Sequence, residues 1–265
     1  MTALSDTLAK TRADGRAALV GYLPVGYPSI DVSIDAMRAM VLGGVDIVEV
    51  GVPYSDPVMD GPTIQAAVEP AVRAGVTLDD ALRAVTAVAE AGAAAVIMTY
   101  WNPVERYGVE RFAAALAGAG GSGAITPDLI PDEAQPWLAA TDAHSLDRIF
   151  LVAPSSSDAR IVSTAQASRG FVYAAAVMGV TGARERVGAT AETLVGRVRS
   201  LAPDVPVCVG LGVSNGAQAA EVAAFADGVI VGSALVRCLL DAPDADGVEA
   251  VRVLSADLAA GVRRR

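Results

Sequence analysis

The sequence contains few of the side chains that most often bind metals or act as nucleophiles. Its 265 residues include one histidine, His144, one lysine, Lys10, and two cysteines, Cys208 and Cys238. A single histidine excludes any mechanism that needs two, and its polar surroundings at residues 141–147 predict a surface position. The cysteines are about 30 residues apart and lack metal-ligand spacing, so we expect reduced core thiols and no metal site.

Long apolar runs and excess positive charge are also missing. No run reaches the roughly 18 apolar residues that a membrane-spanning helix needs. The N-terminus has Asp6 and Lys10 where a signal peptide requires an apolar core, which predicts a cytoplasmic protein. The formal net charge of -10 disfavours nucleic acid and anionic membranes as partners. An anionic small substrate would therefore be bound by donors aimed at it locally.

The residues that are abundant favour an α/β protein. The chain is 53% hydrophobic but only 5% aromatic, and it has 26 glycines. Its apolar content comes mainly from Ala, Val and Leu, which fill parallel strands and the helices that cover them. Since α/β barrels of about 250 residues form one domain, we expect residues 1–265 to be a single domain.

The apolar pattern alternates between period two and period 3.6 along the whole chain. Strands are predicted at Ala17–Leu23, 46–51, Ala94–Thr99, Gly123–Thr126, Arg148–Val152, Gly170–Val177, Val205–Gly210 and Gly228–Val231. Helices are predicted at Ser5–Asp14, Ile30–Val41, Leu78–Ala91, Val109–Ala119, Asp132–Ala140, Ser157–Ser168, Glu192–Leu201, Asn215–Phe225, Ala234–Leu240 and Val248–Val262. Eight parallel strands with helical crossovers predict a TIM (β/α)8 barrel with an extra N-terminal helix. The alternative, an open doubly wound sheet, would leave two edges to cover.

Two acids near the second strand are the best candidates for chemistry. Glu49 lies in an otherwise apolar strand, where an unpaired ionised carboxylate would cost several kcal/mol. Asp60 follows in the next loop, before Gly61 and Pro62. Two carboxylates in different surroundings can divide acid and base duties. The alternatives are a paired core acid for Glu49, and for Asp60 a turn residue or the cap of a helix at Thr63.

Three late turns are rich in glycine and predict a phosphate site. They follow the sixth, seventh and eighth predicted strands, at Gly179–Gly182, Gly210–Ser214 and Gly232–Ser233. Glycine lets backbone N–H groups approach a phosphate, and a helix N-terminus adds the positive end of its dipole. In TIM barrels the loops after strands seven and eight commonly bind phosphate. Ordinary strand-end punctuation is the alternative interpretation of each turn alone.

The residues then resemble a known family over essentially the whole chain. The motifs are VEVGVPYSDPVMDGPTIQ at residues 48–65, YWNP at Tyr100–Pro103, PDLIPDEA at Pro127–Ala134 and MGVTGAR at Met178–Arg184. Together with the late glycine turns, they resemble the tryptophan synthase α chain family. The second-strand motif is specific to that family, whereas many barrels share the phosphate turns. Tyr22, Tyr54, Met59 and Leu211 depart from the common pattern.

The resemblance implies cleavage of indole-3-glycerol phosphate to indole and glyceraldehyde 3-phosphate, a retro-aldol lyase reaction of tryptophan biosynthesis without a cofactor in this chain. It implies that Glu49 is the acid and base, with a pKa raised by burial, and that an ionised Asp60 holds the indole N–H. It places seven residues around the substrate, with Thr181 on a loop able to bond Asp60: Tyr22, Met98, Tyr100, Ile125, Leu151, Tyr173 and Thr181. It places four residues on the phosphate: Gly182, Gly212, Gly232 and Ser233. The apolar members also fit a second interpretation as barrel core.

The family resemblance also implies a partner, a pyridoxal phosphate-containing tryptophan synthase β chain in an α2β2 heterotetramer. We expect the loops Pro53–Asp60 and Gly179–Gly188 to contact it, because both border the barrel mouth. One rival is another phosphate-binding barrel, such as an epimerase or an indole-3-glycerol phosphate synthase. Such synthases use a barrel lysine, whereas Lys10 precedes the first strand. A second rival is a catalytically weak barrel that mainly activates a β subunit.

Overall fold

The computed structural model describes residues 2–175 and 184–263, with only the backbone for residues 184–187. Within these residues, nine strand segments and twelve α-helices follow one another along the chain. The strands are β1 (Ala18–Pro24), β2 (Ile47–Gly51), β3 (Ala94–Met98), β4 (Gly123–Ile125), β5 (Asp147–Ile149), β6 (Leu151–Val152), β7 (Val172–Ala175), β8 (Val207–Gly210) and β9 (Gly228–Val231). The helices are α1 (Ala3–Ala13), α2 (Ile30–Leu42), α3 (Pro62–Arg73), α4 (Leu78–Glu90), α5 (Trp101–Tyr107), α6 (Val109–Gly118), α7 (Gln135–Ala143), α8 (Asp158–Ala167), α9 (Arg184–Leu201), α10 (Gly216–Ala223), α11 (Ser233–Asp241) and α12 (Ala245–Val262).

The strands form one parallel sheet that closes on itself. Its order is β5-β4-β3-β2-β1-β9-β8-β7-β6, so the two ends of the sheet are β5 and β6. These two segments are consecutive in the chain and are separated only by Phe150. Together they act as the fifth of eight barrel strands, and the carbonyl of Phe150 accepts a hydrogen bond from Tyr173 N–H at 3.1 Å. The predicted TIM barrel is confirmed.

Strand alternation sorts the side chains into an inner and an outer core. On β2, Val48 and Val50 belong to the outer cluster between strands and helices, whereas Ile47 belongs to the cluster inside the barrel. Since side chains on a strand alternate between faces, Glu49 points inward with Ile47. The register pairs Glu49 with Tyr22 on β1 and with Val96 on β3. The second-strand acid therefore lies inside the cylinder.

The N-terminal helix α1 covers the end of the barrel where the strands begin. Leu4 and Leu8 of α1 pack into the inner cluster, and Leu4 is fully buried. Burying one leucine contributes about 2 kcal/mol. Asp147, the first residue of β5, accepts hydrogen bonds from the hydroxyls of Thr2 and Ser5, the latter at 3.2 Å. The extra helix is thus held by apolar packing and by one buried carboxylate.

Several elements differ from the sequence-based expectations. Helix α3 begins at Pro62 with Gly61 as N-cap and no side-chain cap, so Asp60 does not cap it. Helix α5 is not predicted, because its seven residues include a proline in the first turn. The predicted strand Gly170–Val177 and the loop Gly179–Gly188 extend into residues 176–183, which lie outside the described part.

The scarce residues lie as follows. Both cysteines are free thiols. Cys208 is buried inside the barrel, as expected of a core thiol, whereas Cys238 is only half-buried on α11. His144 is half-buried, and its Nε2 lies 2.7 Å from Glu110 Oε1. Across residues 2–175 and 184–263, no helix combines the length and apolar character needed to cross a membrane.

Candidate active site

A cavity of about 610 Å³ opens at the end of the barrel where the strands end. Both predicted acids, Glu49 and Asp60, line it. The carboxyl ends of several strands and the loop after β2 form the rest of the wall. Catalytic groups of TIM barrels come from this end, whereas the opposite end serves stability. The cavity therefore lies where the fold places chemistry.

Glu49 is buried in the cavity wall without full hydrogen bonding. The residue is 1% exposed, and within the described residues Oε1 has no hydrogen-bond partner. Burial raises the pKa of Glu49 from its ordinary value of 4.5 to about 8. An unpartnered carboxyl in an apolar wall favours the protonated form, because desolvation penalises the charge. The raised pKa predicted for Glu49 agrees with this environment, and at neutral pH the group can donate a proton.

Asp60 lies in the loop between β2 and α3, is half-buried and lines the same cavity as Glu49. Its Oδ1 accepts a hydrogen bond of 3.0 Å from the hydroxyl of Tyr100, and its carbonyl accepts one of 2.8 Å from Gln65 Nε2. Burial raises the pKa of Asp60, and the Tyr100 bond opposes that rise by stabilising the carboxylate. Asp60 is therefore less solvated than a carboxylate on an exposed loop.

Two half-buried tyrosines, Tyr22 and Tyr173, contribute phenol groups to the same wall. A Cβ on Gly51 would lie 2.6 Å from the hydroxyl oxygen of Tyr22, and a Cβ on Gly210 would lie 2.7 Å from that of Tyr173. Both glycines are therefore required for the rings to fit. Burial raises the pKa of Tyr22 and of Tyr173 well above the ordinary range, so both phenols remain protonated. They can donate hydrogen bonds inside the cavity.

Backbone amides line the side of the cavity formed by β8 and β9. Gly212, Gly232 and Ser233 are all on the wall. Helix α11 begins at Ser233, and its N-cap Gly232 supplies no side-chain cap, so the first amides of the helix lack a side-chain acceptor. Gly212 has a φ of +67°, a conformation that glycine adopts without strain. Free amides at a helix N-terminus bind anions, and phosphate fits this position.

A family model described as the tryptophan synthase alpha chain matches residues 8–261. The chain belongs to the tryptophan synthase α chain family. The chain is 61% identical over 266 residues to the tryptophan synthase alpha chain of Thermobifida fusca, covering 99% of this chain and 98% of that protein. It is 63% identical over 264 residues to that of Acidothermus cellulolyticus, covering 100% and 98%.

Solved structures of the family share the fold over the full length. A crystal structure of tryptophan synthase from M. tuberculosis has a TM-score of 0.91 and 57% identity, with 99% of each chain covered. A tryptophan synthase subunit alpha from Legionella pneumophila has a TM-score of 0.89 at 31% identity, covering 99% of this chain and 98% of that one. The likeness in structure persists although identity falls by about half.

The residues that the family resemblance suggested fall into three groups in the structure. Those on the cavity wall are Tyr22, Glu49, Asp60, Met98, Leu151, Tyr173, Gly212, Gly232 and Ser233. Among the described residues, Ile125 and Tyr100 are not part of that wall: Ile125 is fully buried in the inner core with Met98, and Tyr100 lies behind Asp60. Thr181 and Gly182 lie outside the described residues.

The wall also contains residues that were not predicted from the sequence as members of the site. Strand periodicity could have indicated Ala175 and Ile230, since each lies two positions from a named residue on the same strand or its extension. Gly210, also on the wall, begins one of the predicted glycine turns. Val58, Gly61 and Ile64 come from the loop after β2 and from α3, where no simple period applies.

Two family motifs meet beside the site and have a structural role. The carboxylate of Asp128 accepts the backbone N–H of Trp101 at 2.9 and 3.1 Å. The bond joins the PDLIPDEA segment to the first residue of α5, whose N-cap Tyr100 supplies no side-chain cap. A carboxylate at a helix N-terminus stabilises the helix. The YWNP segment is thereby fixed next to Asp60.

Proposed function

We propose that Glu49 and Asp60 carry out the reaction of the family, the cleavage of indole-3-glycerol phosphate to indole and glyceraldehyde 3-phosphate. The observation that carries the assignment is the position of Glu49. Its buried, incompletely bonded carboxyl shares one cavity with the amides that begin α11. An acid and an anion-binding terminus in the same 610 Å³ space suit a substrate with a reactive ring and a phosphate.

Glu49 is the group proposed to move protons. The protonated carboxyl donates its proton to C3 of the indole ring, and the ring nitrogen becomes positively charged. The carboxylate then removes the proton of the side-chain hydroxyl next to the breaking bond. As the aldehyde C=O forms, the bond to C3 breaks and its electron pair returns to the ring. A pKa of about 8 lets one group serve in both directions near neutral pH.

Asp60 and the two tyrosines are proposed to stabilise the charged ring. An ionised Asp60 accepts the indole N–H, and this bond strengthens as positive charge develops on the ring. The protonated hydroxyls of Tyr22 and Tyr173 line the same space and are available to polar groups of the substrate. The apolar side chains of Met98 and Leu151 provide the slot for the flat ring.

Gly212, Gly232 and Ser233 are proposed to bind the phosphate. The described part of the cavity wall contains no Lys or Arg, so the positive field there comes from backbone amides. Gly182, which lies outside the described residues, remains a predicted member of this group, and Thr181 remains a predicted partner of Asp60.

Lysine chemistry in the barrel is the less favoured function. A synthase that uses a barrel lysine would need one at the cavity, but the chain's single lysine, Lys10, is exposed on α1 near the other end. The other alternative is a weakly catalytic barrel that mainly activates a β subunit. The positions of Glu49 and Asp60 do not favour it, because both acids line the cavity.

We also propose a β chain as partner. The mouth of the barrel exposes Val58 at 77%, Met59 at 47% and Ile130 at 38%, and exposed apolar side chains beside a site suit a protein contact. The finer proposal is an α2β2 heterotetramer in which the β chain holds pyridoxal phosphate and receives indole. A cytoplasmic location remains part of the proposal.

Indole release from indole-3-glycerol phosphate tests the assignment. Purified chain is assayed with and without the β chain, next to a Glu49→Gln variant. We expect wild-type release that rises with the β chain, and loss of release in Glu49→Gln with binding of a glycerol-phosphate ligand retained. Indole release by the variant would mean that another residue is the catalytic acid. If the chain does not co-elute with the β chain in gel filtration and indole production does not rise, the proposed partnership is wrong.

A further inference from the structure

The hydroxyl of Tyr100 has a defined place between two residues of the loop after β2. It accepts a hydrogen bond from Met59 N–H at 3.0 Å and donates one to Asp60 Oδ1 at 3.0 Å. A phenol has one proton, so accepting from Met59 leaves that proton for Asp60. Tyr100 itself is 6% exposed, and its ring packs against Tyr54 with centroids 5.1 Å apart. The hydroxyl group is therefore held in place by its bonds to the loop and by the packing of its ring.

The carboxylate of Asp60 makes few other hydrogen bonds in the described part of the chain. Its neighbours Val58 and Met59 are exposed, and the second bond to the residue, from Gln65 Nε2, reaches only the backbone carbonyl. In the described part of the chain, Oδ1 is the only carboxylate oxygen of Asp60 with a hydrogen bond. Oδ2 is thus left for a ligand in the cavity that Asp60 lines. A bond to one oxygen fixes the direction of the other.

We propose that Tyr100 is a positioning residue that aims Asp60 at the substrate and keeps it ionised, without itself touching the substrate. The inference rests on the proposed function of Asp60. It assigns the hydroxyl of Tyr100 to the carboxylate rather than to the ligand. The β3–α5 junction thereby sets the geometry of a loop that begins on another strand.

Among the titratable groups near Asp60 in the described part of the chain, Tyr100 is the one that hydrogen-bonds its carboxylate. Tyr22 of β1 and Glu49 of β2 face the same cavity, and Tyr100 approaches from the end of β3. Burial raises the pKa of Tyr100 to about 12, so its hydroxyl remains a donor at all working pH values. Removal of the bond should raise the pKa of Asp60 further, because the bond favours the carboxylate.

A Tyr100→Phe substitution tests the role, with Tyr107→Phe as a matched control. Tyr107 lies at the other end of α5 and donates a similar bond of 2.8 Å to Asp79, which is remote from the cavity. In Tyr100→Phe we expect kcat/KM for indole release to fall about tenfold at neutral pH and its acid limb to move to higher pH. In Tyr107→Phe both should equal wild type. An unmoved acid limb in Tyr100→Phe would overturn the role.

A double-mutant cycle with Asp60→Asn separates positioning from general damage. If Tyr100 acts through Asp60, Tyr100→Phe should cause no further loss in the Asp60→Asn background. An equal tenfold loss there would overturn the proposal. A 13C titration of the Asp60 carboxyl in the free protein should show a higher pKa in Tyr100→Phe, and an unchanged pKa would contradict it. Absence of wild-type indole release, in contrast, would overturn the proposed function itself.

Discussion

Each end of the barrel contains a buried carboxyl group, and the two groups differ in their hydrogen bonding. Glu49 is 1% exposed near the mouth, and Asp147 is 4% exposed at the end covered by α1. Asp147 receives hydrogen bonds from the hydroxyls of Thr2 and Ser5, whereas Oε1 of Glu49 has no partner among the described residues. Burial is therefore similar, and the difference lies in what surrounds the carboxyl.

The difference shows why only one of these acids is suited to chemistry. Burial raises the pKa of both groups, but for Asp147 the hydroxyls and the nearby Arg169 and Arg148 oppose the rise. Donors that satisfy a carboxylate also fix it in place, so Asp147 holds α1 on the barrel. Glu49 keeps its unsatisfied oxygen and its proton beside an open cavity. An unmet hydrogen bond at the mouth is a cost to stability that leaves the group free to react.

Substitution of the two acids should change kcat for indole release very differently. Glu49→Gln should lower kcat for indole release about 10³-fold, because the amide can neither give nor take the proton. Asp147→Asn should leave kcat within about twofold, since it changes only the opposite end of the barrel. Steady-state assays of both variants measure this. Equal losses in the two would contradict the division between a chemical and a structural end.

The second effect appears in stability against pH. Between about pH 4.5 and 8 the folded chain keeps the Glu49 proton that the unfolded chain loses. The unfolding free energy should therefore fall by about 1.4 kcal/mol per pH unit from this group, and become constant above about 8. Glu49→Gln removes the contribution, so the difference between wild type and variant in urea unfolding should decline across that window by several kcal/mol. A constant difference would mean an ordinary pKa for Glu49.

The third effect concerns the end covered by α1. Asp147→Asn should lower the unfolding free energy by about 1–3 kcal/mol, because an amide cannot accept both hydroxyl bonds as the carboxylate does. Thermal unfolding and hydrogen exchange of α1 measure it. Thr2→Val, which removes one of the two donors, is the matched control and should give a smaller loss. A stabilised Asp147→Asn variant would show that the carboxyl is not the anchor of α1.

The smallest effect concerns the phosphate. Ser233→Ala should raise KM a few-fold with little change in kcat, because the amides at the start of α11 remain and only one donor is lost. The unfolding free energy should stay within about 0.5 kcal/mol of wild type. A large fall in kcat with unchanged KM would place Ser233 in the chemical step rather than in binding.

Much of the fold is predictable from the sequence because strand and helix periods are strong. The final strand, Gly228–Val231, is predicted with its observed bounds. Alternation puts Glu49 on the same face of its strand as Ile47, and the structure shows that this face points into the barrel. Helix α5 is not predicted, because seven residues with a proline carry too little periodic pattern. The break of the fifth strand at Phe150 is also not predicted, because apolar residues continue through it.

The site is predictable only where its residues lie on strands or in recognised motifs. An acid within an apolar strand indicates Glu49, the next acid in the following loop indicates Asp60, and the family resemblance adds their roles and Tyr100. The bond between Tyr100 and Asp60 spans 40 residues and joins two loops, so no local pattern contains it. The same holds for the bond between Asp128 and Trp101, 27 residues apart. Contacts between loops depend on how the barrel closes, which is a property of the whole fold.

A carbon-13 titration of the Glu49 carboxyl in the ligand-free protein measures whether this buried acid holds its proton at neutral pH. We expect a pKa of about 8, with the group protonated at neutral pH because it is buried and its Oε1 has no partner among the described residues. An ordinary pKa near 4.5 would contradict it, since Glu49 would then be ionised throughout the working range and could not donate the first proton.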